Sequence, residues 1–157
     1  MQIRPIDAAR MEEELRRIYA LSLVSFRHNF LYTPIAEAEF LTQYRQILPF
    51  LRPELALLAE RGGERVGFLF ALPDLLQTRR GQPCDTVILK TVAVLPGRDT
   101  AGLGNLLGAR CHAVAHALSY RRAIHALMHD SNNSRNVSGH YAQPMRRYTL
   151  FAKPLRP

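Results

Sequence analysis

The apolar positions of the chain change their period several times, and each change marks an element. Met11, Leu15, Ile18, Tyr19, Ser22 and Phe26 fall on one face at the helical repeat, and Asp7 ahead of them is a good N-cap. A break at residues 29–34, "NFLYTP", separates this helix from a second. Thr33 is placed to cap that helix, Pro34 takes its first position, and Leu41, Tyr44, Leu48 and Leu51 form its inner face. Residues 54–74, "ELALLAERGGERVGFLFALPD", read as two strands joined by a hairpin turn at Gly62 and Gly63. Residues 86–95, "TVILKTVAVL", are apolar on both faces, as a central strand requires.

A helix is predicted over 103–119, a strand over 122–129, and a short helical segment within 132–141. The last run, "RRYTLFAK" at 146–153, alternates as a strand does. Two helices, a three-strand meander, then helix, strand, helix and strand make an α/β fold with a mixed sheet, as one domain over 1–157. Because the hairpin strands come first, this order does not match the dinucleotide-binding double winding.

Composition narrows the picture. With 157 residues, 47% of them hydrophobic, the chain is long enough to bury a core without disulfides or metals. No apolar run approaches the roughly 18 residues of a membrane span, and the first residues show no secretory h-region. Cys84 and Cys111 make neither a disulfide framework nor a zinc site, so a reduced, cytoplasmic setting is the expectation. The formal charge of +8 suits nucleic acid, an acidic membrane or a phosphorylated ligand. The arginines are scattered in pairs, however, with no basic stripe or aromatic-rich basic strand. Nucleic acid is therefore disfavoured as a partner.

The candidate chemistry begins where the long strand ends. Gly102 and Gly104 lie between strand and helix in "VAVLPGRDTAGLGNLL", residues 92–107. Backbone N–H groups at a helix N-terminus attract phosphate, and glycine lets a diphosphate lie against the main chain. No Gly-Lys-Ser/Thr follows, and Leu107 stands where a third glycine would complete a dinucleotide fingerprint.

The succession of long strand, Arg-to-Gly-x-Gly loop, helix, strand and the segment "HDSNNSRNVSGHY" resembles the GNAT acetyltransferase superfamily over nearly the whole chain. The resemblance implies a mostly antiparallel mixed sheet, splayed at its centre and flanked by helices on both faces. It implies acetyl-CoA as co-substrate, with the diphosphate on the loop formed by Arg98, Asp99, Thr100, Ala101, Gly102, Leu103, Gly104 and Asn105. Three residues separate Arg98 from Gly102, one more than in the family pattern. Val92, Ala93 and Val94 would pair through their backbone with the pantetheine arm, and Asn133, or its neighbour Asn132, would touch it.

Acetyl transfer to an amine by direct attack needs a neutral amine, a donor for the developing oxyanion and a proton for the thiolate. By the resemblance, Tyr141 is the proton donor, with His140 competing for the place. Lys90 occupies the strand position where many members keep a glutamate. His129, at the end of the following strand, is then the candidate base. His112 and His116 stand four apart but are expected on the solvent face, and no metal site is predicted. The implied function is an N-acetyltransferase acting on a small-molecule or peptide amine that the sequence leaves undefined. The alternative is a non-catalytic acyl-CoA-binding module of the same fold. No membrane partner is expected, and a homodimer is left open.

Overall fold

The computed structural model describes residues 1–132 and 134–155. Its five strands are β1 (Gln2–Pro5), β2 (Ala56–Arg61), β3 (Glu64–Pro73), β4 (Thr86–Val94) and β5 (Arg122–His125), and they lie in the sheet in chain order. The first four pair antiparallel, and β5 joins β4 in parallel. A parallel neighbour requires a crossover. Here it is α4 (Leu103–Ala117), while α1 (Met11–Phe26) and α2 (Glu37–Ile47) cover the opposite face. Two short helices, α3 (Leu75–Arg79) and α5 (Ser134–Gly139), complete the set.

Each face of the sheet has its own core. Val66, Leu69, Ala71, Val87 and Leu89 pack with Leu103, Leu107 and Cys111 of α4. Phe68, Phe70 and Ala93 pack with Leu15, Ile18, Leu21, Phe40 and Leu41 of α1 and α2. On β4, Leu89 and Val92 join the same core although they stand three residues apart, which simple alternation forbids. The register explains it. Thr91 faces Phe70 and Leu89 faces Ala71, so Lys90 is an extra, unpaired residue that resets the alternation. Gly67 allows α4 to approach closely, since a Cβ there would lie 3.1 Å from both the Ala93 carbonyl oxygen and a methyl of Leu103.

Under the edge of the α1 layer lies a charged cluster. Glu14, 2% exposed, accepts from Arg4 at 2.7 Å and from Arg65, and both arginines also reach Glu60. A buried carboxylate survives only when it is paired in this way.

The structure departs from the sequence expectations at five places. β1 was not anticipated, and neither was α3. The second helix begins at Glu37 rather than at Pro34. Ala36 is extended, and the Tyr19 hydroxyl holds the preceding segment by donating to the Ile35 carbonyl at 2.8 Å. The next strand stops at His125 instead of 129. Finally, the alternating run 146–153 forms no strand, and every residue from 141 to 155 is exposed. An alternating segment becomes a strand only when a ladder partner is present.

Candidate active site

The parallel pairing of β4 with β5 covers only residues 86–89 and 122–125, and its last bond runs from the Ala126 N–H to the Leu89 carbonyl at 3.2 Å. Beyond it the strands part. Residues 91–94 keep β3 on one side and, among the described residues, have no strand on the other. Ala93 is buried towards α1, while Val92 and Val94 pack towards α4, so what these residues offer to the gap is backbone. The Ser25 hydroxyl ties the end of α1 to this strand by donating to the Val94 carbonyl at 3.2 Å.

The far wall of the gap comes from the chain after β5. It swings towards the α1–α2 connection, where the rings of His129 and Phe30 stack with centroids 4.3 Å apart. His129 Nδ1 lies 2.8 Å from the Ser131 hydroxyl. The Ser131 backbone N–H donates to the same Nδ1 at 3.2 Å, so Nδ1 is the accepting nitrogen and the proton of the neutral ring sits on Nε2.

The loop after β4 is braced from within. The Thr100 hydroxyl donates to the Leu95 carbonyl at 2.6 Å, and Arg61 holds the Asp99 carboxylate at 3.0 Å. Arg98 and Ala101 are exposed. Gly102 adopts the left-handed φ of +78°, which favours glycine, and from it α4 departs. The first intrahelical bond of α4 is Leu106 N–H to Gly102 carbonyl, and no side chain caps the helix. The N–H groups of Leu103, Gly104 and Asn105 therefore have no acceptor among the described residues. Three free amides on the positive end of a fifteen-residue helix are the kind of group that attracts an anion.

α5 packs against the same end of α4. A Cβ at Gly104 would meet Val137 at 3.3 Å, and one at Gly108 would meet Val137 and Tyr141. Gly104 and Gly108 thus serve helix packing, a role not expected from the sequence. Tyr141 lies on α4, its hydroxyl donating to the Asn105 carbonyl at 3.3 Å and its ring edge-on to His112. His140 is exposed beside it. Asn132 is half-buried, and Asn133 lies outside the described residues. Tyr141 and His129 are held by different elements and do not touch: one sits on α4, the other on the α1–α2 connection.

His112 is not on the solvent face. Its Nε2 lies 2.9 Å from Nε2 of His125, whose Nδ1 meets the Ser138 hydroxyl at 2.8 Å. Burial pushes both imidazoles below their ordinary pKa. His116 stays exposed, and no group of three metal-ligating side chains occurs among the described residues. The pair was missed because α4 is curtained by α5 and Tyr141 on a flank that its own periodicity marks as polar. No helix among the described residues is long and apolar enough to cross a membrane.

No protein-family model matches the chain, and no curated protein matches it. Solved structures do. The aminoglycoside 6'-N-acetyltransferase AAC(6')-Ih from Acinetobacter baumannii superposes with a TM-score of 0.69 at 20% identity, over 98% of each chain. AAC(6')-Iy, bound to a bisubstrate analogue joining CoA to acetylneamine, gives 0.69 at 17% identity and the same coverage. A GNAT family acetyltransferase from Brucella melitensis, in complex with acetyl-CoA, gives 0.61 at 21% identity, over 83% of this chain and 77% of that one. The chain has the GNAT fold, as the resemblance implied.

Proposed function

We propose that this protein is an acetyl-CoA-dependent N-acetyltransferase. The observation that carries the reading is the cradle of three free amides, Leu103, Gly104 and Asn105, beside the open edge of β4. Bound acetyl-CoA would supply the activated acetyl thioester. Its diphosphate fits the α4 amides, with Gly102 leaving room on the approach, and its extended arm fits the edge of Val92, Ala93 and Val94 that faces away from β3. Asp99 and Thr100 shape the loop rather than bind, since Arg61 and the Leu95 carbonyl already engage them. Arg98 is left as an exposed donor at the mouth.

The acceptor amine enters from the side of Phe30 and His129. The His129 imidazole takes the ammonium proton through water, and the Tyr141 hydroxyl returns a proton to the departing thiolate.

Calorimetric titration of coenzyme A tests the reading. Micromolar binding to the unmodified chain is expected. Gly102→Asp should weaken it at least tenfold, about 1.4 kcal/mol, because aspartate tolerates the left-handed backbone and sets a negative charge against the diphosphate. Failure of the unmodified chain to bind coenzyme A would overturn the proposal. Thiol release from acetyl-CoA with a panel of neutral, acidic and polycationic amines then ranks the acceptors.

A further inference from the structure

β4 carries one residue that its ladder does not need. Leu89 faces Ala71 and Thr91 faces Phe70, so Lys90 bulges from the strand, and a bulge turns a side chain out of the regular alternation. The sheet divides at the same point. β5 follows β4 only as far as Leu89, and the last bond between them is Ala126 N–H to the Leu89 carbonyl at 3.2 Å. Lys90 thus stands at the fork. It is exposed, and it borders an apolar pocket on the α1–α2 side with Leu15, Tyr44, Leu48, Phe70 and Leu72. No carboxylate lines that pocket.

A lysine is unusual in this chain. Of the 21 lysines and arginines, only Lys90 and Lys153 are lysine. Arginine is the cation that stays protonated, whereas a lysine amine can lose its proton and act as a nucleophile. The bulge asks for a residue at position 90 and would accept arginine there. The lysine therefore adds chemistry rather than architecture.

The proposed seat of acetyl-CoA brings an electrophile to this amine. Its diphosphate lies on the amides of Leu103, Gly104 and Asn105, beyond the C-terminal end of β4. An arm that leaves them and follows the free edge from Val94 back to Val92 has its far end, the acetyl thioester, next to residues 90 and 91.

We propose, on the reading of the protein as an acetyl-CoA-dependent N-acetyltransferase, that Lys90 is a site of self-acetylation, its ε-amine taking the acetyl group of acetyl-CoA bound to the same chain. The neutral amine attacks the thioester carbonyl. A C–N bond forms, and the C–S bond breaks with its electron pair on sulfur. Of the two protons shed by the original ammonium, one goes to solvent and one to the thiolate, leaving N-acetyl-lysine and free coenzyme A. An amide is no longer a nucleophile, so the reaction stops at one group. It also removes the cation from the fork.

The full chain, incubated with acetyl-CoA and no added amine, should gain one acetyl group by intact mass, and peptide mapping should place it on Lys90. Amine and thioester share one site, so Lys90 should react about a hundredfold faster than the exposed Lys153. The rate constant should saturate with acetyl-CoA and be independent of protein concentration. Lys90→Arg keeps a cation on the bulge and should stay unmodified. Coenzyme A itself, which carries no acetyl group, should shield Lys90 but not Lys153 from acetic anhydride, a sign of proximity that needs no turnover. Equal acetylation of Lys90 and Lys153, a rate constant that rises with protein concentration, or absence of shielding would overturn the proposal. So would acetylation of an added amine by a chain whose Lys90 stays unmodified, and that result would leave the acetyltransferase reading standing. Failure to bind coenzyme A in calorimetry would remove that reading and self-acetylation with it.

Discussion

The α1–α2 side of the sheet and the β5 side finish their surfaces differently. On the first, Phe68, Phe70, Tyr44 and Phe40 interlock with centroids 4.4–5.4 Å apart. Even the carboxylate sunk beneath them is closed over by Arg4 and Arg65. On the second, among the described residues, β4 stands open past Leu89, β5 lacks an outer neighbour, three helix amides lack acceptors, and the last apolar run lies in water. The first side is completed by the chain itself. The second is left open by it, so mutations there should spare folding and change binding and rate.

The largest expected effect sharpens this contrast. Phe68→Ala should cost about 3–5 kcal/mol, because the ring is fully buried and its removal leaves a cavity. Phe151→Ala should cost the single chain less than about 0.5 kcal/mol. Urea denaturation at several protein concentrations measures both. An equal, concentration-independent loss for Phe151→Ala would break the comparison.

Next in size is Tyr141→Phe, which keeps the ring against His112 and removes the hydroxyl. General acid catalysis is worth about 10²–10⁴ in rate, and a thiolate leaves readily, so kcat should fall about 10²-fold. Acetyl-CoA affinity should hold. Steady-state thiol release reads the first and calorimetry the second. An unchanged kcat here, with a large loss for His140→Ala, would move the role one residue back.

A smaller effect concerns pH. Burial lowers the pKa of His112 and His125 in the folded chain, so below the unfolded value of about 6.5 the unfolded chain binds more protons. Stability should therefore be level above that pH and fall as pH drops through it. Thermal melts of the His112→Gln, His125→Gln double variant should show a shallower decline between pH 6.5 and 5. An equally steep decline would remove the histidine pair as its source.

The smallest effect is expected at the thiols. Burial pushes the Cys111 thiol up to about 12, so it stays protonated, and direct attack by an amine needs no thiol at all. Cys84→Ala and Cys111→Ala should leave kcat within a few-fold. Acetylated cysteine detected by mass spectrometry during turnover would point instead to a covalent route.

Much of the fold was legible because α1, β3, β4 and α4 each have a period and a clear end. Asp7, the turn at Gly62 and Gly63, and Gly102 are local signals, and they act locally. β1 was hidden because "QIRP" has four residues and only one strong apolar side chain, and it is a strand because β2 offers an edge. The start of α2 was misplaced because Tyr19, sixteen residues from Ile35, decides it. In the site, the Gly-x-Gly junction could be read as a turn into a helix whose first amides are uncapped. That His125 would meet His112, or that Val137 would take the space above Gly104, depended on α5 folding back. Neither residue carries a sign of that in its own neighbourhood.

The extra residue at Lys90 has a consequence for how this sequence can vary. Lys90 is exposed and faces no cross-strand partner, so nearly any side chain could replace it. Its presence is another matter. Removing one residue there would join the two halves of β4 in the wrong phase, turning either Val87 and Leu89 or Val92 and Val94 out of the α4 core. The position is free in spelling and fixed in length, so an alignment of relatives should show diverse letters there and no gap.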